Sequence, residues 1–120
     1  MAKDLLIDLM KDIGSDYDYT SGSFSVRTSN LGEFEQASLV VRVENVVGTD
    51  STFKVETSID DVYYVTVDHS SLTDGVFTVG SAIESHKFHF QDFPDRFIKV
   101  TFSPNTSTGV VKSIKVLVKQ

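Results

Sequence analysis

Three histidines are the side chains of this sequence best suited to bind a metal ion or to move a proton. His86 and His89 lie three residues apart, and His69 lies far from both. On a β-strand, a separation of three places two side chains on opposite faces, so His86 and His89 do not form a shared pair of ligands. The sequence therefore predicts neither a metal site nor a cofactor at the histidines.

Three aspartates near the N-terminus have the close spacing that a calcium ion requires of its carboxylate ligands: Asp12, Asp16 and Asp18. The EF-hand template does not fit them. A loop that starts at Asp16 has Ser21 where glycine is needed and Arg27 where the bidentate glutamate is needed. The pattern favours solvated turn carboxylates, and an irregular calcium loop is the alternative.

Other reaction chemistries find little support in the sequence. It contains no cysteine, its serines lie in polar turns without a nucleophile-elbow motif, and its seven glycines form no phosphate-binding loop. The net charge of -6, with scattered Lys and Arg, argues against nucleic acid as a partner. The longest apolar run near the N-terminus is Leu5-Leu6-Ile7, which is too short for a membrane span. We expect a protein that is not an enzyme and binds neither nucleic acid nor membrane.

The elements that position these side chains are predicted to be strands, centred on a β-hairpin over residues 52–67. Apolar and polar residues alternate on both sides of Asp60-Asp61, and short polar residues at that point favour a tight turn. The alternation predicts five core residues in the hairpin: Phe53, Val55, Tyr63, Val65 and Val67.

The same alternation predicts further strands, and together they indicate the fold class. The stretches are 23–28, 38–47, 76–79, 87–91, 96–103 and 110–119. Their number and the spacing of the turns predict an all-β protein, one antiparallel sandwich of about eight strands with a jelly-roll-like arrangement. Residues 1–120 are expected to form a single domain. A Lys or Arg in place of Val65 or Val100 is expected to unfold it.

Residues 1–14 are predicted to be either an edge strand of the sandwich or an arm that docks on a neighbouring protein. A helix over residues 3–13 is a further alternative, because the apolar residues also fit one helical face. The side chains that would dock are Leu5, Leu6, Ile7, Leu9 and Met10.

Tyr17 and Tyr19 are the large side chains of a loop that is otherwise rich in Gly, Ser, Asp and Thr. Two hypotheses fit them. They contact a glycan or a partner protein, or they cover the edge of the sandwich with their hydroxyls in water.

The stretches VETSIDDVYYVTV and FPDRFIKVTFSPNTSTGVVKSIKVLVK resemble the small β-sandwich structural proteins of tailed-phage virions. Those proteins similarly combine a turn like Ser58–Asp61, followed by an aromatic residue, with a late strand like Arg96–Val100. A glycine-containing loop and a further strand then follow. The resemblance covers roughly residues 38–120.

This resemblance implies a non-enzymatic virion component of the capsid-associated, decoration, head-fibre or neck type. Such a protein would be made in the host cytoplasm and built into the virion, with other virion proteins as partners and a homo-oligomer such as a trimer as its state. The alternative is a module that binds carbohydrate through Tyr17 and Tyr19, since the C-terminal half also resembles discoidin-like sandwiches.

Overall fold

The computed structural model describes residues 4–32, 36–80, 82–91 and 96–119, and within them it confirms an all-β fold. Along each of the longer strands, successive side chains point to opposite faces of the sheet. In chain order the strands are β1 (Asp4–Asp8), β2 (Tyr17–Asp18), β3 (Phe24–Arg27), β4 (Gln36–Val47), β5 (Ser51–Ser58), β6 (Val65–Thr66), β7 (Val76–Val79), β8 (Glu84–Gln91), β9 (Phe97–Ser103) and β10 (Thr108–Lys119). A single 3-10 turn, Tyr19–Ser21, follows β2.

The strands form two antiparallel sheets that pack as the predicted sandwich. The first sheet has the order β1-β10-β4-β8, and β2 pairs with β10 on the same side as β1. The second sheet has the order β3-β9-β5, and β6 and β7 pair with successive parts of β5 on its other side. The described residues contain ten strands where about eight were predicted, and two of the ten, β2 and β6, have only two residues each.

The core lies between the two sheets and takes one side chain in every two along the strands. On β9, Ile98, Val100 and Phe102 are fully buried, while the residues between them are partly exposed. Leu39, Val41 and Val43 do the same on β4. Removal of these apolar surfaces from water is the main force that holds the sheets together.

Within the N-terminal segment, Asp4–Asp8 form a strand, as the alternation indicated, and this strand pairs with its own subunit. Asp4 to Asp8 run antiparallel to Lys119 to Lys115 of β10. The chain then turns, and the Leu9 amide donates to the Ile114 carbonyl at 2.9 Å. The helical alternative for this segment is wrong, because ladder pairing with β10 takes the backbone bonds that a helix would use.

The prediction of a central hairpin is correct for its first strand and wrong for part of its second strand. Phe53, Val55 and Val67 are buried as predicted, but Tyr63 is 79% exposed and Val65 is 62% exposed. The chain does not return to strand directly after Asp60-Asp61. Pairing resumes only where Val65 meets Thr57, so Tyr63 belongs to a loop and Val65 stands at the start of a two-residue strand.

Lysine substitutions at Val65 and Val100 should have different effects on the free energy of unfolding, although the sequence predicts both valines to be core residues. Val100→Lys places an unpaired charge in the core and should cost about 4 kcal/mol or more of the free energy of unfolding. Val65→Lys stays in water and should change it by about 0.5 kcal/mol or less. Urea unfolding followed by circular dichroism measures both. Equal losses for the two variants would contradict the burial seen here.

Candidate interaction surface

The loop between β5 and β6, residues 59–64, forms a defined structure together with Val65, the first residue of β6. We call residues 59–65 the strap. Its entry is organised by Ser58, whose side chain is buried at the end of β5. The Ser58 hydroxyl accepts hydrogen bonds from the amides of Asp60 at 3.2 Å and Asp61 at 3.0 Å. These bonds turn the chain away from the sheet immediately after β5.

The Asp60 carboxylate holds the next part of the strap. Its Oδ1 accepts hydrogen bonds from the amides of Val62 at 2.9 Å and Tyr63 at 3.0 Å, and from the Ser58 hydroxyl at 2.9 Å. The Val62 amide is the largest cause, followed by the Tyr63 amide, of a pKa of Asp60 that is lower than its ordinary value. The ionised carboxylate is therefore the form that stabilises this backbone.

Asp61 ties the strap to the sheet across its outer face. The residue has a positive φ of 63°, a conformation that aspartate tolerates better than most residues. Its carboxylate forms an ion pair with Arg27 of β3 at 2.9 Å and accepts a hydrogen bond from the Tyr64 hydroxyl. Because Arg27 belongs to β3, the strap reaches across β9 to the far edge of the second sheet.

Tyr64 packs against this ion pair and against a second cation. The Lys99 ammonium nitrogen of β9 lies 4.3 Å from the centroid of the Tyr64 ring. Desolvation by burial, followed by the hydrogen bond to Asp61, raises the pKa of Tyr64 to about 12. The phenol therefore remains a hydrogen-bond donor to Asp61 over the whole range in which the protein is expected to work.

The strap carries a group of large apolar side chains in contact with water. Its members are Ile59, Val62, Tyr63 and Val65, each more than 60% exposed. Single exposed apolar residues are ordinary, but four within seven residues of a hydrogen-bonded loop are characteristic of a protein-binding surface. The hydrogen bonds matter because a loop that is already ordered loses little further conformational entropy when it binds.

The predicted docking residues of the N-terminal segment divide into two groups. Leu9 and Met10 are buried in the core, and Ile7 packs against it, so these side chains are not presented to a partner. Leu5 and Leu6 are exposed on β1. Their role in docking stays a prediction.

The two loop tyrosines are placed inward. The Tyr19 ring is 1% exposed, lies 4.7 Å from the Phe102 ring, and its hydroxyl is 3.3 Å from Ser51 Oγ. Tyr17 is half-buried, with its ring 4.6 Å from that of Phe24. Tyr19 therefore has no free ring face for a ligand, which corrects the hypothesis that the pair forms an exposed contact.

His86, His89 and Asp18 serve local structure. His86 contacts the Phe77 ring at 4.6 Å and the Glu84 carboxylate, while His89 Nδ1 is 2.9 Å from Ser38 Oγ on the other side of β8. Asp18 caps the 3-10 turn through the amide of Thr20. Within the described ranges, no group of three or more His, Asp or Glu side chains is arranged to hold a metal ion.

A further carboxylate, Asp50, joins the β4–β5 and β9–β10 loops at one end of the sandwich. It accepts hydrogen bonds from the Ser107 hydroxyl at 2.5 Å and from the Thr106 amide at 3.1 Å. The Asn105 side-chain amide donates to the Asp50 carbonyl at 2.6 Å. The hydrogen bonds to the carboxylate, first that of the Ser107 hydroxyl and then that of the Thr106 hydroxyl, lower the pKa of Asp50. The cluster links two loops, and the hydrogen bonds that link them are accepted by the oxygens of Asp50.

Apolar alternation looks the same on a buried strand and on an exposed loop, and for that reason it does not predict the strap. One feature was available to detect it. Ser58 and Asp60 stand two residues apart at the end of a strand, a spacing at which short polar side chains bond the amides that follow them. That pattern predicts an ordered loop in place of an immediate return strand.

No protein-family model matches this sequence, and no curated protein matches it. Solved structures are similar to it in fold. A chain in the structure of infectious bursal disease virus, Gt strain, has a TM-score of 0.57 and 11% sequence identity, over 98% of this chain and 32% of that chain. A chain of the T13 IBDV viral particle has a TM-score of 0.52 and 12% identity, over 98% and 31%. The present chain thus spans about a third of the length of these viral chains.

A structure described as BiXyn10A CBM1 in its apo form is also similar, with a TM-score of 0.49 and 10% identity over 93% of this chain and 95% of that one. At such low identities, the viral matches show a shared β-sandwich fold and nothing finer. The BiXyn10A match is too loose to support an argument. Among the residues described, no helix has the length and apolar character needed to cross a membrane.

The amides held by Asp60 should report its ionisation. Folding lowers the pKa of Asp60, so the strap should keep its full hydrogen bonding above about pH 3.9, the ordinary value. The bonds should be lost as the pH falls through the lower pKa of the folded state. NMR shifts of the Val62 and Tyr63 amides against pH measure this step. Asp60→Asn should abolish it, and a midpoint above the ordinary value would contradict the assigned hydrogen bonds.

Proposed function

We propose that this protein is a non-enzymatic structural component of a virus particle and acts by docking on other proteins. The observation that carries the proposal is the strap, a hydrogen-bonded loop with four exposed apolar side chains on the sandwich. Its polar residues hold the loop in shape, and its apolar residues face water. That division suits a surface that must be ready to bind before the partner arrives.

The fold supports the same class of function. Chains of infectious bursal disease virus and of its viral particle have this sandwich architecture over nearly the whole of the present chain. Their identities are low, so the fold makes a particle component plausible without identifying one. The strap supplies the argument that the fold alone does not.

The finer proposal is a component of a tailed-phage virion, of the capsid-associated, decoration, head-fibre or neck type. It would be synthesised in the host cytoplasm and would act in the virion as a homo-oligomer such as a trimer. The residues that support it are those of the turn Ser58–Asp61 and of the stretch Arg96–Val100. Exposed Leu5 and Leu6 on β1 would add a second contact.

The polar clusters support a role without catalysis. Asp60 and Asp61 hold the strap, and Asp50 joins two loops, so their carboxylates bond backbone amides, hydroxyls or a guanidinium. A catalytic carboxylate needs access to a substrate and a neighbour with which to exchange protons. These aspartates are used as structural acceptors.

The position of Tyr19 does not support carbohydrate binding. Sugar-binding sandwiches present flat aromatic rings to the ligand, and the Tyr19 ring is enclosed by Phe102 and Ser51. Tyr63 is the exposed aromatic ring of the strap, but it stands among aliphatic side chains. That composition favours a protein partner.

Sedimentation with purified particles tests the proposal. The protein should pellet with virions isolated from the source that carries its gene. The double variant Val62→Ser, Tyr63→Ser should bind at least about tenfold more weakly, since central apolar and aromatic contacts dominate interface energies. Both side chains are exposed, so the thermal unfolding temperature should change little.

Val47→Ser is the matched control, because Val47 is 71% exposed but belongs to β4 in the other sheet. It should pellet like the wild type. Pelleting of the double variant at the wild-type level would exclude the strap as the docking surface. A failure of the wild-type protein to pellet, together with binding on a glycan array, would overturn the particle proposal in favour of a carbohydrate-binding module.

A further inference from the structure

β3 is an edge strand with hydrogen-bonding groups that face outward. Within the described residues, it pairs with β9 alone. The Thr28 amide donates to the Ile98 carbonyl at 2.9 Å, so Thr28 and the residues two and four before it direct their backbone groups toward β9. In an antiparallel ladder the intervening residues, Ser25 and Arg27, direct their amides and carbonyls away from the sheet. This edge can accept another strand.

A pocket of about 380 Å³ lies beside this edge on the outer face of the second sheet, under the strap. Arg27, Tyr64 and Lys99 are among its lining residues. Arg27 uses one guanidinium nitrogen, Nη1, on Asp61. A guanidinium has five N–H donors, so this ion pair does not exhaust them. The Lys99 ammonium is 3.9 Å from the Glu56 carboxylate, which is longer than a direct hydrogen bond.

The charged residues that line this outer pocket are two cations, Arg27 and Lys99, and one carboxylate, that of Asp61. Glu56 is not among the lining residues, and its carboxylate lies 3.9 Å from Lys99 and 4.0 Å from Lys54. The lining itself therefore has a positive excess in a protein that is acidic overall. Against a net charge of -6, this local excess selects an anionic group, and a carboxylate matches the donors of Arg27 and Lys99.

A second pocket, of about 450 Å³, lies on the other side of β3. Its apolar lining comes from Leu9, Ile13 and Val26, where the turn after β1 approaches the edge of the second sheet. Asp12 also lines it, at the rim formed by the same turn. Ser25, Val26 and Arg27 line both pockets, so the two cavities flank a single stretch of backbone.

We propose that β3 binds an extended segment of a partner protein as an added strand, and that this segment alternates acidic and apolar residues. Successive side chains of a strand point to opposite faces. Acidic side chains of the added strand would enter the outer pocket at Arg27 and Lys99, and apolar ones would enter the inner pocket at Leu9 and Ile13. Main-chain bonds to Ser25 and Arg27 supply affinity, and the two pockets supply specificity. The identity of the partner as another particle protein rests on the proposed function.

Binding of synthetic peptides to the isolated full chain tests this inference. A short peptide that alternates glutamate and valine should bind, as measured by calorimetry, and a peptide that alternates lysine and valine should not. Affinity for the first peptide should fall as salt is raised, because the pocket is partly exposed. Equal affinity for the two peptides, or no binding of either, would show that the proposal is wrong.

Two pairs of variants locate the site. Ser25→Pro removes an outward amide without touching the ladder to β9, whereas Ser25→Ala keeps that amide; both lose the hydroxyl contact with Thr101 at 2.8 Å. Lys99→Gln removes a pocket cation, and Lys87→Gln removes an exposed lysine of β8 at another edge. Proline at position 25 and Lys99→Gln should each weaken binding about tenfold or more, and their controls should not.

Circular dichroism and thermal melting establish that each variant is folded. If Ser25→Pro does not fold, the comparison of Lys99→Gln with Lys87→Gln decides the outcome. Unchanged peptide affinity in the folded test variants would refute binding at β3. A concentration-dependent dimer that Ser25→Pro abolishes would also overturn the inference, because a second copy would then occupy the edge. Neither result depends on sedimentation with particles, so the proposed function can fail or stand separately.

Discussion

The antiparallel pairing of β4 with β10 is the interaction on which the rest of the structure depends. Its ladder runs from Gln36 beside Lys119 to Val47 beside Thr108, and both strands have further partners on their other sides. Their inward side chains, including Leu39 and Ile114, form a fully buried wall. The second sheet can bury its own apolar face only because that wall is continuous. The separation of the loops at the two ends of the sandwich follows from the length of this ladder.

The strap shows how a polar framework can support an apolar surface. A loop with four exposed apolar residues would be expected to collapse or to move, because the exposure of apolar surface to water is unfavourable. Here Ser58 and Asp60 bond the loop amides locally, and the ion pair of Asp61 with Arg27 fixes the loop to a strand at the far edge of the sheet. The polar atoms thus determine where the apolar atoms stand. A surface built in this way keeps one shape in the absence of a partner.

The extent to which the sequence predicts this molecule differs between strands and loops. Strands such as Val76–Val79 and Phe97–Ser103 follow from period-two alternation, because burial of one face of a sheet imposes that period. Alternation does not indicate whether a face is covered by the opposite sheet, and for that reason it wrongly predicts Tyr63 and Val65 in the core. Coverage depends on the opposite sheet, which is a property of the whole chain.

The candidate surface was harder to predict than the fold. The outward position of Val62 results from a hydrogen bond to Asp60, and the location of the strap results from an ion pair with Arg27 in a distant strand. The prediction for Tyr19 is wrong in the opposite direction, because an exposed contact was predicted and the ring is buried. Its loop is polar in composition, yet the 3-10 turn that Asp18 caps directs the ring against Phe102. Local composition indicates a loop, but the tertiary contacts decide which of its side chains are buried.

The place of β10 in the first sheet also has a consequence for how the chain folds as it is synthesised. β10 pairs with β1, where Asp4 lies beside Lys119, and with β4, so a strand from the end of the described chain occupies the middle of the sheet. Until it leaves the ribosome, both β1 and β4 lack their main partner and expose strand edges. The hairpins of β5 with β6 and β7 need only nearby residues and can form earlier. The second sheet is therefore expected to assemble first, with closure of the sandwich as the slow step that waits for the synthesis of β10.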